Sequence, residues 1–556
     1  MIDYTVGDLV AEFLACCQVE VAFGIISVHN VPILDAVARQ QRVRFVMARG
    51  EMGAGHMADG YARVHGGLGV LITSTGPGAA NAASALLEAG FAGSPVLHIT
   101  GQTPRAGIAR GQGAVHDVPD QLGMLRSVCK AAFRIHSAQE ALGVLTRAAV
   151  EALSPRQGPV SVEIPFDLQR ATLPRPAAFD HFALPLPSPR VPQGAELQRL
   201  VKHVAQARRP MLWLGNGARH AGAQARALLD LGFGMVNSLA APGIVPADHP
   251  RNLGALNGSL HIRPDPVVEA LYEGCDLLLA AGARLRVNET RDGQARLPKN
   301  LVHIDLDPAA NGRTLESTLF VCGDSAATLG LLADGLRGRI AVDPAFGDDL
   351  ARTKAQATAA FLQTLGPYAD FPAQVRTGMP RDAVWVRDVT LHNGSWGSKV
   401  FPVYGPRDAL FPVGLGIGQG LPLGIGAALA ANAQGRKVVM MAGDGGFAMH
   451  LSELWTAAQE RLDIVVLVMN DGGYGVIKHI QDHGYGGRRH YGDMLQPDFD
   501  QLAGLAGMPY WKVWRAADLG AAVAAACAVR GPAFVEVDMG PIGEFPPYVV
   551  PARTPS

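Results

Sequence analysis

Two aspartates and the glycines around them carry the plainest chemistry in the chain. Asp444 stands in Gly443-Asp444-Gly445-Gly446 at the end of an apolar run, and Asp471 stands in Asn470-Asp471-Gly472-Gly473-Tyr474-Gly475 at the end of another. Between them Leu451, Leu454, Trp455 and Ala458 recur at helical spacing. The stretch 437–475 therefore predicts a βαβ unit with an acid at the carboxyl end of each strand. In a parallel sheet those ends open onto one crevice, so both carboxylates enter it and need a cation between them. Backbone N–H groups at a glycine-led helix start bind phosphate oxygens, and Mg²⁺ is held by one or two carboxylates plus phosphate. The implied ligand is a Mg²⁺ diphosphate. Taken alone, Gly-Asp-Gly-Gly is equally the composition of a tight turn, with Asp471 opening the next loop.

The elements that must position these groups fall into three blocks. In the first, Val6, Leu9, Val10 and Phe13 line one face of a helix over 5–16, and a strand over 19–23 leads into the turn Gly24 to Asn30, which contains His29. A histidine in such a turn serves either as a hydrogen-bonded loop residue or as a proton carrier. A strand over 43–47 precedes Glu51, whose charge favours the start of the helix EMGAGHMADGYARV. Gly53, Ala54, Gly55 and Ala58 leave the first turns of that helix almost bare, so something flat or another backbone must come close. Strands over 69–74 and 95–100, a helix over 79–89 led by Thr75-Gly76-Pro77-Gly78, and the segment Gly111 to Asp117 with His116 complete the block.

A proline-rich linker over 173–192 separates it from the second block, where strands are expected over 211–214, 276–281, 301–306 and 319–321. Gly215-x-Gly217 is a weak dinucleotide signal, because the third glycine is misplaced. The third block begins with a polar helix from about Ala351 and a strand over 384–389. Thr390-Leu391-His392-Asn393 follows, and then Val413 to Pro422, with Leu415 and Ile417, opens a helix of glycine and alanine that must pack tightly on the sheet. Val476 to Ile480 continues as a helix into a glycine- and charge-laden stretch, 478–494, which reads as a lid or a solvated charge run. A last strand over 532–539 precedes a proline-broken tail, 540–556. The expected fold is α/β: three Rossmann-like domains with parallel sheets, over 1–172, 190–340 and 365–556.

Composition narrows the classes. With 48 basic and 49 acidic residues the net charge is −1, which speaks against a nucleic acid or membrane-surface partner. Cys16, Cys17, Cys129, Cys275, Cys322 and Cys527 lack metal or disulfide spacing. Asp3 sits where a signal peptide would carry positive charge, and no apolar run is long enough to span a bilayer, so the expectation is a cytoplasmic protein.

The Gly-Asp-Gly turn followed one crossover later by Asn-Asp and glycine resembles the cofactor signature of thiamine-diphosphate enzymes, and nearly the whole chain is similar to the acetolactate synthase, benzoylformate decarboxylase and benzaldehyde lyase group. That resemblance implies Mg²⁺ bound by Asp444, Asp471 and the carbonyl of Gly473, with Asp471 where most members have Asn. It implies a diphosphate among Thr390, His392, Gly443, Gly445, Gly446, Tyr474 and Gly475, and Ile417 wedged between the cofactor rings, with the Leu415 carbonyl accepting from the 4′-amino group. EMGAGHMADGYAR resembles the pyrimidine-domain motif, in which the glutamate, here Glu51, contacts N1′ of the aminopyrimidine; Gly50 replaces the usual preceding His. His29 and His116 align with a turn His and a Gln that face the reacting carbon, and Asn30, Val476 and Ile477 are implied to line the substrate.

The function implied is decarboxylation of a 2-oxo acid with carboligation to an aldehyde or a second oxo acid, like acetolactate synthase, in a homodimer or homotetramer whose sites lie between subunits. Ile480 stands where branched-chain synthases carry a Trp, which keeps open a decarboxylase or lyase with a larger substrate. The central domain binds FAD in synthases and pyruvate oxidases and is empty in decarboxylases; Arg284 to Glu289 departs from the synthases' flavin run, which favours an empty domain. A flavin oxidase and a non-catalytic homologue are further alternatives. The latter is disfavoured because Glu51 and both aspartates are present.

Overall fold

The computed structural model describes residues 4–255, 265–291 and 293–547. Asp3 and the end of the proline-broken tail, 548–556, lie outside the described residues. Among the described residues the strands form three sheets, every pairing within them parallel. The first contains β1 (Val21–Gly24), β2 (Arg44–Met47), β3 (Gly69–Thr73), β4 (Val96–Gln102), β5 (Ala131–Arg134) and β6 (Val160–Pro165) in the order β2-β1-β3-β4-β6-β5. The second contains β7 (Pro210–Leu214), β8 (Gly234–Asn237), β9 (Leu277–Ala281), β10 (Leu301–Asp305) and β11 (Leu319–Cys322) in the order β11-β10-β9-β7-β8. The third contains β12 (Val384–Arg387), β13 (Ala409–Leu410), β14 (Val438–Gly443), β15 (Ile464–Asn470), β16 (Tyr510–Val513) and β17 (Ala533–Asp538) in the order β13-β12-β14-β15-β17-β16.

β14 and β15 are buried along almost their whole length, as continuous apolar runs require when helices cover both faces of a sheet. Their register pairs Gly443 with Met469, which brings the two aspartate turns to the same edge. The connection between them is not the single amphipathic helix that the spacing suggested. It is broken into Asp444–Ala448, a 3₁₀ turn Leu451–Glu453 and Leu454–Gln459, and Trp455 points outward. Glu453 is the residue turned inward instead.

The first and third domains share one core. The helix Glu51–His65 crosses the helix Gly420–Asn432 so closely that a Cβ on Gly60 would lie 2.2 Å from the Leu423 carbonyl oxygen, and one on Gly426 1.9 Å from that of Met57. Glycine there permits backbone contact, and Met57, Ala58, Leu421 and Ile425 seal it. Among the described residues no helix is long and apolar enough to cross a membrane.

Candidate active site

The third domain builds the first half of the site. Asp444 follows the last residue of β14 and is fully buried; its Oδ1 accepts the Asp471 N–H at 3.4 Å, and its Oδ2 has no hydrogen-bond partner among the described residues. Burial raises the proton affinity of Asp444, and burial together with the Asp444 carboxylate pushes Asp471 up to about 7. A buried carboxylate and a half-buried one facing each other stay ionised together only if a cation lies between them. The glycines make room for this arrangement. A Cβ on Gly475 would lie 2.0 Å from Asp471 Oδ2, and one on Gly445 would lie 2.8 Å from the Tyr474 ring and 3.0 Å from the Gly473 carbonyl oxygen.

Behind that turn, residues 485–494 fold back on it. The Tyr474 N–H donates to the Gly492 carbonyl at 2.8 Å and the Met494 N–H to that of Gly472 at 3.1 Å. Lys478, on the helix Gly475–Gly484, reaches the Asp471 carbonyl at 3.2 Å and the Asp493 carboxylate at 2.9 Å. The glycine- and charge-laden stretch is thus fastened to the aspartate turn at one end, while Tyr485 and Tyr491 project into solvent.

The turn after β12 supplies the facing wall. A Cβ on Gly443 would be 3.6 Å from Thr390 Cβ, and Thr390 Oγ1 accepts the His392 N–H at 3.0 Å. The imidazole of His392 is turned away from the crevice into an aromatic cage of Tyr368, Phe371, Trp396 and Phe545. Its Nδ1 accepts from the Trp396 indole at 2.8 Å and its Nε2 lies 3.4 Å from Met539 Sδ, so burial drives its pKa down to about 3 and it stays neutral. His392 therefore packs within the third-domain core, while Thr390 of the turn borders Gly443.

Sequence reading missed Asp388, the residue after β12. It is buried, and its oxygens accept N–H groups of Val389, Gly418 and Gly420 at 2.6, 3.0 and 3.1 Å, while burial pushes its pKa up to about 6. It pins the loop that carries Leu415 (φ +63°) and Ile417, both exposed, with Ile417 Cγ1 3.2 Å from where a Gly446 Cβ would stand. The signal was available. Asp388 is an acid at the end of an apolar run, the pattern that singled out Asp444.

The first domain builds the second half. Glu51, at the start of its helix after β2, is half-buried; Asn81 donates to its Oε2 at 3.2 Å, and Gly78 leaves space beside its Oε1. His29 and His116 are brought together from two turns, ring centroids 5.2 Å apart. Desolvation, then the neighbouring His116, lowers the pKa of His29, whose Nδ1 is buried without a partner among the described residues. His116 sits at φ +63° with its Nδ1 3.4 Å from Ser74 Oγ. Asn30 is fully buried. Its carboxamide accepts from the Ser27 N–H and donates to the Ile25 carbonyl, so it holds the His29 turn in shape. Of the other pair, Val476 packs against the third-domain core and Ile477 is exposed. Among the described residues no hydrogen bond or ion pair joins the Glu51, His29 and His116 group to the Asp444 and Asp471 group.

Three family models match the chain in order: the N-terminal TPP binding domain of thiamine pyrophosphate enzymes over 4–124, their central domain over 197–332, and their C-terminal TPP binding domain over 388–537. The probable 2-ketoarginine decarboxylase of Pseudomonas aeruginosa is 33% identical over 85% of this chain and 83% of its own length. Probable acetolactate synthase 2 of Oryza sativa subsp. japonica is 30% identical over 96% of this chain and 82% of its own length. The acetolactate synthase isozyme 1 large subunit of Escherichia coli K12 is 29% identical over 86% and 84%. With three domain models matched in sequence order on three parallel-sheet domains, the chain belongs to the thiamine pyrophosphate enzyme family.

Proposed function

We propose that the protein uses thiamine diphosphate and Mg²⁺ to remove CO₂ from a 2-oxo acid and deliver the remaining acyl unit to a proton or to a second carbonyl compound, an aldehyde or another oxo acid. One observation carries the reading: a fully buried Asp444 oxygen, without a hydrogen-bond partner among the described residues, faces a second carboxylate across a glycine turn. Bound thiamine diphosphate would supply the sink for the electron pair that departing CO₂ leaves on carbon. Asp444, Asp471 and the Gly473 carbonyl would hold Mg²⁺, whose remaining ligands come from phosphate and water, because no group of three or more His, Cys, Asp or Glu gathers for a metal among the described residues. Main-chain groups of Gly443, Gly445, Gly446, Tyr474 and Gly475 would meet the diphosphate with Thr390. Ile417 would wedge the two rings apart, the Leu415 carbonyl would accept from the 4′-amino group, and Glu51 would hold a proton at N1′.

Glu51 and the aspartates would act on one cofactor only when two copies of the chain meet. Ile26, Val28, Met52 and Val115 around the first half, and Leu415, Ile417 and Met449 around the second, are exposed apolar surface that a second copy would cover. His29 and His116 would exchange protons with the oxygen of the reacting carbonyl, and Ile477 would bound the acyl group. Its β-branched bulk favours a short aliphatic 2-oxo acid such as pyruvate. A larger substrate is the second reading. It is supported by Val476, which packs into the core and leaves Ile477 alone at the wall, and by the similarity to a probable 2-ketoarginine decarboxylase. A panel of 2-oxo acids, with and without aldehyde acceptors, scored by CO₂ release and product mass, decides. Turnover of long or cationic oxo acids with none of pyruvate selects the second reading, and no turnover of any 2-oxo acid sinks both.

For the central domain, a cavity of about 540 Å³ supports a bound nucleotide such as FAD. It is lined by Gly215, Arg219, Arg284 and Arg286 of that domain, with Asn393 and Leu415 of the third. Burial, with Arg407 and Arg63 beside it, lowers the pKa of Arg219 to about 9, a strain that an anionic ligand would relieve. The run Arg284 to Glu289 still argues against flavin itself, and the absorbance spectrum of the purified protein separates a flavin from a colourless nucleotide. The six cysteines are all free, in keeping with the cytoplasm.

A further inference from the structure

The helix that begins with Glu51 is held at its start from another domain. Its N-cap residue, Gly50, has no side chain, and no side chain of its own turn caps it. Glu453 of the third domain instead holds the two residues that lead into the helix. Its Oε1 and Oε2 accept the Arg49 N–H at 3.0 and 3.2 Å, the Gly50 N–H also hydrogen-bonds the carboxylate, and Thr456 Oγ1 donates to Oε2 at 2.6 Å. The carboxylate is almost fully buried at the positive end of the helix, where charge and hydrogen bonds favour the same geometry. The space for it comes from Gly53, on which a Cβ would lie 2.4 Å from Glu453 Oε1. That glycine admits the carboxylate, while other backbone comes close at Met57 and Ala58 further along the helix. Two arginines fasten the same loop: Arg49 donates to Gln459 at 2.8 Å and Arg44 pairs with Glu460.

Glu453 belongs to the segment that starts with the diphosphate turn. Ten residues, 444–453, contain Asp444, then His450, whose Nδ1 lies 2.6 Å from the Gly418 carbonyl oxygen on the Ile417 loop, then Glu453. The His450 ring packs edge-on against His56 of the Glu51 helix, centroids 5.9 Å apart. One short segment therefore touches the metal turn, the ring-wedging loop and the start of the helix that presents Glu51.

We propose that Glu453 is a positioning residue: it sets the place of Glu51 from the domain that holds the diphosphate. The inference rests on the reading of Glu51 as the group at N1′. If the two half-sites come from different subunits, Glu453 also ties the diphosphate half of one centre to the proton-holding half of the other.

Amide hydrogen–deuterium exchange in the cofactor-free protein reads this hold. In Glu453→Ala, residues 45–55 exchange at least about tenfold faster while the three sheets keep their protection. Glu453→Gln keeps an acceptor oxygen and restores most of that protection, whereas Gly53→Ala, which leaves Glu453 in the chain and displaces its carboxylate, loses it. In the loaded protein, Glu453→Ala and Gly53→Ala bind thiamine diphosphate within about threefold of the parent Kd but slow proton exchange at its C2 by about tenfold. Unchanged amide exchange over 45–55 in both variants overturns the proposal. A slower C2 exchange that tracks weaker cofactor binding overturns it too. If Glu51→Gln leaves C2 exchange unchanged, the assignment of Glu51 has failed instead, and the amide exchange still decides whether Glu453 sets the helix start.

Discussion

The two halves of the candidate site stand at the same kind of place, the carboxyl ends of parallel strands, yet one is closed by its own chain and the other is open. Asp444 is fully buried beneath a glycine turn, a returning segment and a pinned loop. Glu51 is half-buried, with Asn81 as its neighbour and exposed Met52 beside it. A charge that is to hold a metal and phosphate gains from burial, because the cation replaces the lost water. A carboxyl group that must reach an atom held by another surface cannot be closed off by its own. The contrast implies different consequences for loss of each half.

The largest effect is expected in the closed half. Asp444→Ala leaves the diphosphate facing Asp471 and main-chain dipoles with no bridging cation, so retention of thiamine diphosphate after dialysis falls below detection. Full occupancy in that variant would break the comparison at its root. In the open half, Glu51→Gln is expected to keep cofactor and metal but to slow hydrogen–deuterium exchange at C2 by about a hundredfold, the scale of a lost acid/base group. A variant that lost the cofactor instead would show that Glu51 helps to close the site.

How the halves combine gives the next effect in size. Mixing Glu51→Gln with Asp444→Ala chains tests whether a centre draws on two subunits, because in a mixed dimer both defects then fall in one centre and leave the other intact. With random pairing, half of the dimers are mixed and each has one good centre, so about a quarter of the parent activity returns. If each centre belongs to one chain, mixing restores nothing.

Most of the closed half could be read from the sequence, because it is local. Asp444, Asp471 and their glycines fall within thirty-three residues, and apolar runs report the strands beneath them. The open half depends on long-range contacts. Asn81 and Gly78 beside Glu51 lie on the next helix, and the hold on the start of its own helix comes from Glu453. Nothing about a lone glutamate after Leu451-Ser452 announces that role. The surroundings of His392 went unread for a related reason: its type suits a phosphate, but four aromatic residues spread from Tyr368 to Phe545 surround its ring. The strands that went unread, β5, β8, β13 and β16, are short, and β5 and β16 are edge strands with half-exposed residues, so they lack the long apolar run of β14 or β15. β6 is buried and escaped because Ser161 and Glu163 interrupt its apolar run, each satisfied by a buried partner, His98 and Gln121.

The smallest effect concerns pH, and it sharpens the comparison on the open side. His29 sits among His116 and the edge of Phe166, and burial first, then the His116 ring, lowers its pKa below that of a free imidazole. In the unfolded chain it binds a proton as pH falls through about 6.5, whereas in the folded chain it stays neutral to lower pH. The unfolded state then holds more protons than the folded state, so this residue's contribution to stability is full above that pH and is lost progressively below it. His56, His98 and His392, each pushed down to about 3 by burial, act in the same direction, so His29 is one part of a shared acid limb. Replacing it with Asn, which does not titrate, should make the fall in Tm between about pH 7.5 and about pH 5.5 shallower than in the parent by a few degrees at most. A steeper fall would mean that His29 is better protonated in the folded protein than in the unfolded chain. Its ring could then not remain neutral beside His116 until a substrate oxygen arrives.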